Sequence, residues 1–331
     1  MEKRVLGRTG LEVSVLTFGC GAVGGLMPKG EPADQQRAVE LALEAGVNFF
    51  DTAPLYGNGT SETNLGRILK NLKPDIVLGT KVRLKPGDSA DVPGAVKRSV
   101  EESLQRLQQD HVDILQLHNP IALNPGEGDL TPDQVLQDVL PALEQAKRDG
   151  KTRFIGMTAI GETEALSQVV EAGAYDTGQI IYNMLNPSAS TAISAAFPGQ
   201  DYDGLLTRAE AAGMGAIVIR SLAGGALSGS EERHPLGMHV VAPIGSGDDY
   251  AADAARARRF SSLLGAAECE SLVELAIRYV TSNAKVPTFQ VGLATVQQFQ
   301  KAAEAVEKGA LPAAVLSDIA ELQAGFAQSE A

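Results

Sequence analysis

Four polar side chains occur at or just after the ends of apolar, strand-like runs. Asp51 closes VNFFD, Lys81 lies near the end of DIVLGTKV, His118 closes VDILQLH, and Tyr56 follows Asp51 by five residues. A buried carboxylate is costly unless a cation meets it, so Asp51 needs a partner and Lys81 can supply one. A single Asp–Lys pair is commonly only structural, but its occurrence with Tyr56 and His118 at the ends of successive strands favours a function.

These residue types together form a proton-transfer site. A tyrosine has a pKa of about 10, and a nearby ammonium lowers it toward the working range of an acid or base. We expect Lys81 to tune Tyr56, Asp51 to hold Lys81 charged and oriented, and His118 to donate to a substrate oxygen. Such a site protonates an alkoxide or deprotonates an alcohol, which is half of a carbonyl reduction; the other half needs a hydride source.

Alternating strands and helices must position these side chains. Eight short apolar or β-branched runs alternate with segments whose apolar residues recur every three or four positions. This alternation predicts a closed (β/α)8 TIM barrel, in which catalytic groups lie at the carboxyl ends of the strands. The predicted strands are VSVLTFGC, VNFFDTA, DIVLGTKV, VDILQLH, TRFIGMTA, GQIIYN, GAIVIRSL and VPTFQVGL.

No segment resembles an interdomain linker, so residues 1–331 are predicted to form one domain. The longest interruption, residues 223–249, is rich in Gly and Pro and follows the seventh strand. In a barrel it would lie over the active-site mouth. The last apolar segment, PAAVLSDIAELQAGFAQ, predicts an extra helix packed outside the barrel.

Composition restricts the possible partners and location. The formal charge is −13 and there is no basic run, which disfavours nucleic acid and anionic membranes and favours a small-molecule substrate. The N-terminus has no apolar signal core and no run is long enough to span a membrane, so we expect a cytoplasmic protein. Cys20 and Cys269 lie far apart and the four histidines show no ligand spacing, so neither a disulfide nor a metal site is expected.

Two other dehydrogenase architectures are disfavoured. GCGAVG, residues 19–24, satisfies the Gly-x-Gly-x-x-Gly dinucleotide pattern, but GLMPKGEPAD follows, with two prolines before any helical period. A Rossmann domain needs a helix that opens within the glycines. A Tyr-x-x-x-Lys site is excluded because none of the six tyrosines has Lys four positions later.

The sequence resembles the aldo-keto reductase superfamily over nearly its whole length. The resemblance is carried by LGRTGLEVSVLTFGCG, GVNFFDTAPLYGNGTSETNLG, LGTKV and VDILQLHNP. KTRFIGMTAI and GMGAIVIRSLAGGAL are most similar to the sugar dehydrogenase branch, which includes L-galactose dehydrogenase and D-threo-aldose dehydrogenase. The resemblance implies a barrel that binds NADP(H) or NAD(H), with Tyr56 as general acid/base and Asp51, Lys81 and His118 completing a tetrad.

The resemblance also implies which residues hold the dinucleotide. Thr158 and Gln179 would hold the carboxamide, with Ala159 in place of a frequent asparagine, and Arg220 stands where many members carry an aromatic that stacks on the nicotinamide. The remaining residues implied are Ser221, Leu222, Gly224 and Gly225 at the pyrophosphate, and Gly292, Thr295 and Gln298 on the adenosine side.

Cofactor choice depends on three departures near the final barrel helix. Ala294 stands where NADP-preferring members commonly carry Arg or Lys, and Lys301 and Ala302 replace a usual Glu-Asn. Arginine is a favoured partner of a phosphate dianion, so the sequence leans slightly against strict NADP preference.

The substrate is expected to be a sugar, a sugar lactol or a small aldehyde or ketone. Two other functions are kept open. One is a non-catalytic nicotinamide-dinucleotide sensor or regulatory subunit, since the superfamily also resembles potassium-channel β subunits. The other is a phosphate-binding barrel isomerase, which needs a carboxylate base and no nicotinamide.

Overall fold

Eight parallel strands form the centre of the molecule. The computed structural model describes residues 1–245 and 249–328, and within them these strands pair in chain order, with the last pairing with the first to close a barrel. The predicted fold class is confirmed. The strands are β1 (Lys3–Val5) and β2 (Glu12–Ser14), which pair only with each other, and the barrel strands β3 (Leu16–Gly19), β4 (Phe49–Asp51), β5 (Val77–Val82), β6 (Val112–Leu117), β7 (Thr152–Ala159), β8 (Thr177–Ile181), β9 (Gly215–Ile219) and β10 (Thr288–Gly292).

Helices surround the barrel, as the alternation of strands with segments of helical spacing predicts. Their starts follow from local chemistry: the Asp91 carboxylate accepts a hydrogen bond from the backbone N–H of Gly94, and the Thr295 hydroxyl accepts one from that of Gln298. A π-helical segment, Val135–Val139, separates two of the helices. The helices are α1 (Leu26–Lys29), α2 (Pro32–Glu44), α3 (Thr60–Leu72), α4 (Val92–Leu107), α5 (Pro132–Gln134), α6 (Leu140–Arg148), α7 (Thr163–Glu171), α8 (Leu205–Ala211), α9 (Tyr250–Arg259), α10 (Leu272–Thr281), α11 (Val296–Glu307) and α12 (Ala313–Ala324).

The antiparallel hairpin of β1 and β2 closes the N-terminal end of the barrel. Its apolar side chains Leu6 and Val13 are fully buried and pack with Phe49 and Val77, the first residues of β4 and β5. The hairpin thereby seals the end of the barrel opposite to the carboxyl ends of the strands.

The predicted first strand, VSVLTFGC, is wrong in its extent. Residues 13 and 14 belong to β2, and the barrel strand begins at Leu16. The chain bends at Val15, and Ser14 stabilises this bend: its backbone N–H donates to Asn48 Oδ1 at 2.7 Å and its hydroxyl donates to the carbonyl of Leu16 at 2.8 Å. Both pieces are apolar, so periodicity alone does not separate them.

Apolar side chains fill the layer between strands and helices. Phe18 of β3 packs against Phe50 of β4, with ring centroids 5.2 Å apart, and against Phe299 of α11 at 5.8 Å. All three rings are buried. This packing fixes the strand ends and therefore the side chains that follow them.

The long segment after β9 lies at the carboxyl end of the barrel and reaches the loop after β3. It begins with a 3-10 stretch, Ala223–Ser228. Further along, the Met238 N–H donates to the carbonyl of Val23 at 3.2 Å, beyond the end of β3. The Asp253 carboxylate on α9 anchors its end by accepting from the backbone N–H of Ile244 at 2.7 Å. Residues 246–248 of the predicted loop lie outside the described residues.

The predicted C-terminal helix is also present, as α12. Val315 and Ile319 are buried on its inner face. The Gln323 amide donates to the carbonyl of Met184 at 2.9 Å, which ties this helix to the loop after β8. Among the described residues, none of the helices is long and apolar enough to cross a membrane.

Candidate active site

The ends of three neighbouring strands bring the predicted polar residues together. Asp51 is the last residue of β4, Lys81 lies on β5 next to it, and His118 directly follows β6. The Lys81 ammonium donates to Asp51 Oδ2 at 2.5 Å and to the carbonyl of Thr52 at 2.8 Å. The Lys81 side chain is 0% exposed and that of Asp51 is 1% exposed. The predicted ion pair is therefore present and fully buried.

Tyr56 reaches over this ion pair from the loop after β4. Its ring centroid lies 5.0 Å from Lys81 Nζ. The His118 ring stands perpendicular to it, with centroids 5.8 Å apart. One phenol, one ammonium and one imidazole thus converge at the mouth of the barrel.

The pKa of Tyr56 corrects one expectation from the sequence. Burial of the phenol raises the pKa of Tyr56, and this effect outweighs the lowering by the Lys81 charge. The expected net lowering is wrong for the free protein, because the sequence does not reveal how deeply the hydroxyl lies. Tyr56 therefore keeps its proton at neutral pH.

Lys81 and His118 have opposite protonation states. Burial acts to lower the pKa of Lys81, but the charges of Asp51 and Tyr56 outweigh burial, so the pKa is raised and the ammonium persists. Burial, followed by the charges of Lys81 and Arg83, lowers the pKa of His118 to about 3. His118 is therefore a neutral imidazole, which can donate one hydrogen bond without carrying charge.

Sequence reasoning missed one polar residue of this site, Gln116. Its side chain is buried, and its amide donates to Asp51 Oδ1 at 3.0 Å. A glutamine within the apolar run VDILQL was the available signal. The glutamine alone was not informative, because the periodicity of a strand does not show which side chain a buried glutamine will contact.

The residues implied for the carboxamide are adjacent across β7 and β8. Thr158 and Gln179 are register partners, and the Thr158 hydroxyl donates to Gln179 Oε1 at 3.2 Å. The Nε2 atom of Gln179 is buried without a hydrogen-bond partner among the described residues. A buried unpaired donor is costly, so a ligand carbonyl here is physically favoured.

The residues implied for the pyrophosphate form a tight turn after β9. Ala223, Gly224 and Gly225 have positive φ angles of 49°, 67° and 112°. Successive residues of this kind can form an anion-binding concavity. Ser221 is already engaged, since its hydroxyl donates to the carbonyl of Gln290 at 2.7 Å, and Leu222 precedes the turn.

Arg220 lies at the start of this turn with a φ of 56°. Its Nη1 atom is buried and has no hydrogen-bond partner among residues 1–245 and 249–328. The Asn183 amide donates to its carbonyl at 3.0 Å and holds the backbone. A planar guanidinium can contact an aromatic ring or an anion, so Arg220 fits a dinucleotide.

The adenosine-side residues surround the start of α11. Gly292 ends β10, and Thr295 caps the helix. The Gln298 side chain turns back, its Oε1 accepting from the backbone N–H of Ala294 at 2.7 Å. Ala294 is only 4% exposed, while Lys301 is exposed. The residues present therefore fit a nicotinamide dinucleotide along β7 to β10.

The glycines of GCGAVG have a different role from that in a Rossmann domain. A Cβ atom on Gly24 would lie 2.1 Å from the backbone nitrogen of Leu293. The Leu26 N–H donates to the carbonyl of Leu293 at 3.0 Å. These residues allow two loops to touch, and the sheet is a closed barrel, so the interpretation against a Rossmann domain is confirmed.

No group of three or more His, Cys, Asp or Glu side chains suited to a metal ion occurs in the part of the chain that the structure describes.

Comparison with known proteins gives the class of this barrel. The model of the aldo/keto reductase family matches residues 15–324. L-galactose dehydrogenase of Arabidopsis thaliana is 32% identical over 316 residues, covering 92% of this chain and 88% of the relative. D-threo-aldose 1-dehydrogenase of a Pseudomonas species is 30% identical over 211 residues, covering 56% of this chain and 62% of the relative.

A solved structure agrees along nearly the whole chain. The holo form of an aldo-keto reductase from Bacillus halodurans superposes with a TM-score of 0.73 at 26% identity and covers 97% of this chain and 96% of its own. The chain belongs to the aldo/keto reductase family. It is an oxidoreductase that uses NAD(P)H.

Proposed function

We propose that the protein moves a hydride between the nicotinamide and the carbonyl carbon of a sugar, an aldehyde or a ketone, with Tyr56 as the general acid/base. The bound dinucleotide supplies or accepts the hydride. One observation carries the proposal: the phenol of Tyr56 lies over the buried Lys81–Asp51 pair and against His118.

The roles of the side chains follow from their protonation states. The pKa of Tyr56 is raised by burial, so its phenol holds a proton to give to a developing alkoxide. Lys81 stays charged and stabilises the phenolate that is left. His118 is neutral because its burial and the charge of Lys81 lower its pKa. Its imidazole donates a hydrogen bond that orients the substrate oxygen.

The residues that would hold the dinucleotide are those implied by the resemblance. Thr158 and Gln179 would hold the carboxamide, and the turn from Arg220 to Gly225 the pyrophosphate. Thr295 and Gln298 would meet the adenosine. A sugar substrate is supported by the names of the L-galactose and D-threo-aldose dehydrogenases that the chain resembles.

The proposal extends to the whole chain and its setting. We take residues 1–331 as one domain, supported by the pairing of Leu16 with Phe289 at the closure of the barrel. A cytoplasmic location and the absence of a nucleic-acid partner remain predictions from composition.

The test compares wild type with Tyr56→Phe. Fluorescence titration with NADPH and NADH should give tight binding to both proteins, because the phenol hydroxyl is not among the predicted dinucleotide contacts. Turnover of a panel of aldoses and simple aldehydes should fall by roughly 10²–10⁴-fold in the variant, the usual share of general acid/base catalysis.

Two results would contradict the proposal. Equal turnover of wild type and Tyr56→Phe excludes Tyr56 as the proton donor. Tight dinucleotide binding with negligible turnover by the wild type over the whole panel favours the sensor instead. The ratio of the two affinities also measures the effect of having Ala294 rather than a cation.

A further inference from the structure

Gln116 holds the second oxygen of the Asp51 carboxylate. It lies on β6 directly opposite Lys81 on β5, and it is 0% exposed. Its Nε2 donates to Asp51 Oδ1 at 3.0 Å, while Lys81 donates to Asp51 Oδ2 at 2.5 Å. Each carboxylate oxygen therefore has its own donor, from two different strands.

Two glycines leave the space for this contact. Gly79 lies on β5 beside Asp51, and a Cβ there would come within 3.2 Å of Asp51 Oδ1. Gly156 lies on β7 opposite Gln116, and a Cβ there would come within 3.0 Å of Gln116 Cγ. A side chain at either position would crowd the path from Gln116 across β5 to Asp51.

We propose that Gln116 is a positioning residue for proton transfer, which orients the Asp51 carboxylate so that Lys81 stays charged and directed at Tyr56. This inference rests on the proposed role of Tyr56. Gln116 touches neither Tyr56 nor His118 in any contact observed among the described residues; it acts through Asp51.

Loss of this amide should change the proton affinity of Tyr56. Asp51 Oδ1 would be left buried without its amide donor, so less of the negative charge of the carboxylate would be offset. The negative charge of Asp51 raises the pKa of Tyr56, so this pKa should rise further without the amide. The titratable and charged groups that face Tyr56 are Asp51 (β4), Lys81 (β5), His118 (after β6), Cys20 (after β3) and Arg220 (after β9).

The experiment replaces Gln116 by Leu, which removes the amide and keeps the approximate size. We expect kcat to fall roughly ten- to hundredfold, the range for losing a hydrogen bond to a charged group, with KM changed by less than about twofold. In the alcohol-oxidising direction, which needs the phenolate, the rising limb of the pH profile should move to higher pH.

Thr177→Val is the matched control. Thr177 lies on β8 on the other side of Gly156, is 0% exposed, and its hydroxyl has no hydrogen-bond partner in the described part of the chain. This change also removes a buried polar group from the barrel, but none that touches Asp51. Its kcat and pH profile should equal those of wild type.

A double-mutant cycle with Asp51→Asn tests the route of the effect. If Gln116 acts through Asp51, the loss from Gln116→Leu should largely disappear in the Asp51→Asn background, since interacting residues are not additive. Additive losses would mean that Gln116 affects activity by another route and would overturn the inference.

The possible outcomes distinguish a failure of the Gln116 inference from a failure of the proposed function on which it rests. If wild type neither binds NADPH nor turns over any substrate, the proposed function fails. If wild type is active and Gln116→Leu has the same kcat and pH profile, only the inference fails. Should Gln116→Leu not fold, Gln116→Met, which is unbranched and lacks the amide, decides by the same measurements.

Discussion

Replacing Lys81 by Met should destabilise the folded protein, because the buried Asp51 carboxylate would lose the cation that it pairs with. Met is close to Lys in size, so the change removes the ammonium while leaving most of the packing. Among the residues that the structure describes, the Asp51 carboxylate would then keep only the amide of Gln116 as a donor, within a site where its side chain is 1% exposed. An uncompensated buried carboxylate is the main cost.

The size of the effect follows from the burial of both partners. Removing one member of a buried pair typically costs about 3–5 kcal/mol. Unfolding entropy is about 2.1 cal/mol/K per residue, which for 331 residues corresponds to a decrease in Tm of about 4–7 °C. The hydrogen bond from Lys81 to the Thr52 carbonyl is lost as well, so the upper half of this range is expected.

Urea and thermal unfolding of matched variants measure this loss. Lys97→Met is the control, because its ion pair with Glu101 is 3.9 Å long with side chains 72% and 53% exposed, and it should cost less than about 0.5 kcal/mol. Adding Asp51→Asn to Lys81→Met should restore at least about half of the stability, since no buried charge remains. Equal stability of Lys81→Met and Lys97→Met would refute the reasoning.

Three further predictions concern other parts of the molecule. Because the pKa of His118 falls to about 3, the unfolded chain binds a proton between pH 6.5 and 3 that the folded chain does not. Stability is therefore lost as the pH falls, by on the order of 2 kcal/mol from pH 7 to pH 5, and urea unfolding of His118→Asn should show this decrease reduced. Gly24→Ala places a Cβ 2.1 Å from the Leu293 nitrogen and should cost about 1–3 kcal/mol by thermal unfolding, whereas Gly265→Ala, with no atom within 4 Å, should be neutral. Gln179→Leu should weaken NAD(P)H binding about tenfold in a fluorescence titration, and unchanged affinity would show that its Nε2 does not meet the dinucleotide.

The sequence predicted the order of the barrel strands because each strand is an apolar run bounded by polar residues. It also predicted that Asp51 and Lys81 pair, because neighbouring parallel strands bring their carboxyl ends together and a buried carboxylate needs a cation. These inferences depend on the order of the strands and on residue charge, which can be read directly from the amino-acid sequence.

Two features could not be derived in this way. The net pKa of Tyr56 depends on how deeply its hydroxyl lies, and burial proved to outweigh the charge of Lys81. The contact between Gln116 and Asp51 crosses an intervening strand and depends on the space above Gly79. The burial of the Tyr56 hydroxyl and the space above Gly79 depend on how distant segments pack together. No single stretch of the sequence shows this packing.

The closure of the barrel has a consequence for synthesis of the chain. β3 and β10 are neighbours in space, with Leu16 paired to Phe289, yet β10 is the last strand of the described residues to leave the ribosome. Because chain synthesis adds about 5–20 residues per second, β10 is made roughly 15–50 seconds after β3. During that time one edge of β3 offers unpaired backbone groups to other chains. The residues proposed for proton transfer, which lie on or just after β4 to β6, are thus made early, but the barrel around them is completed only when β10 is made.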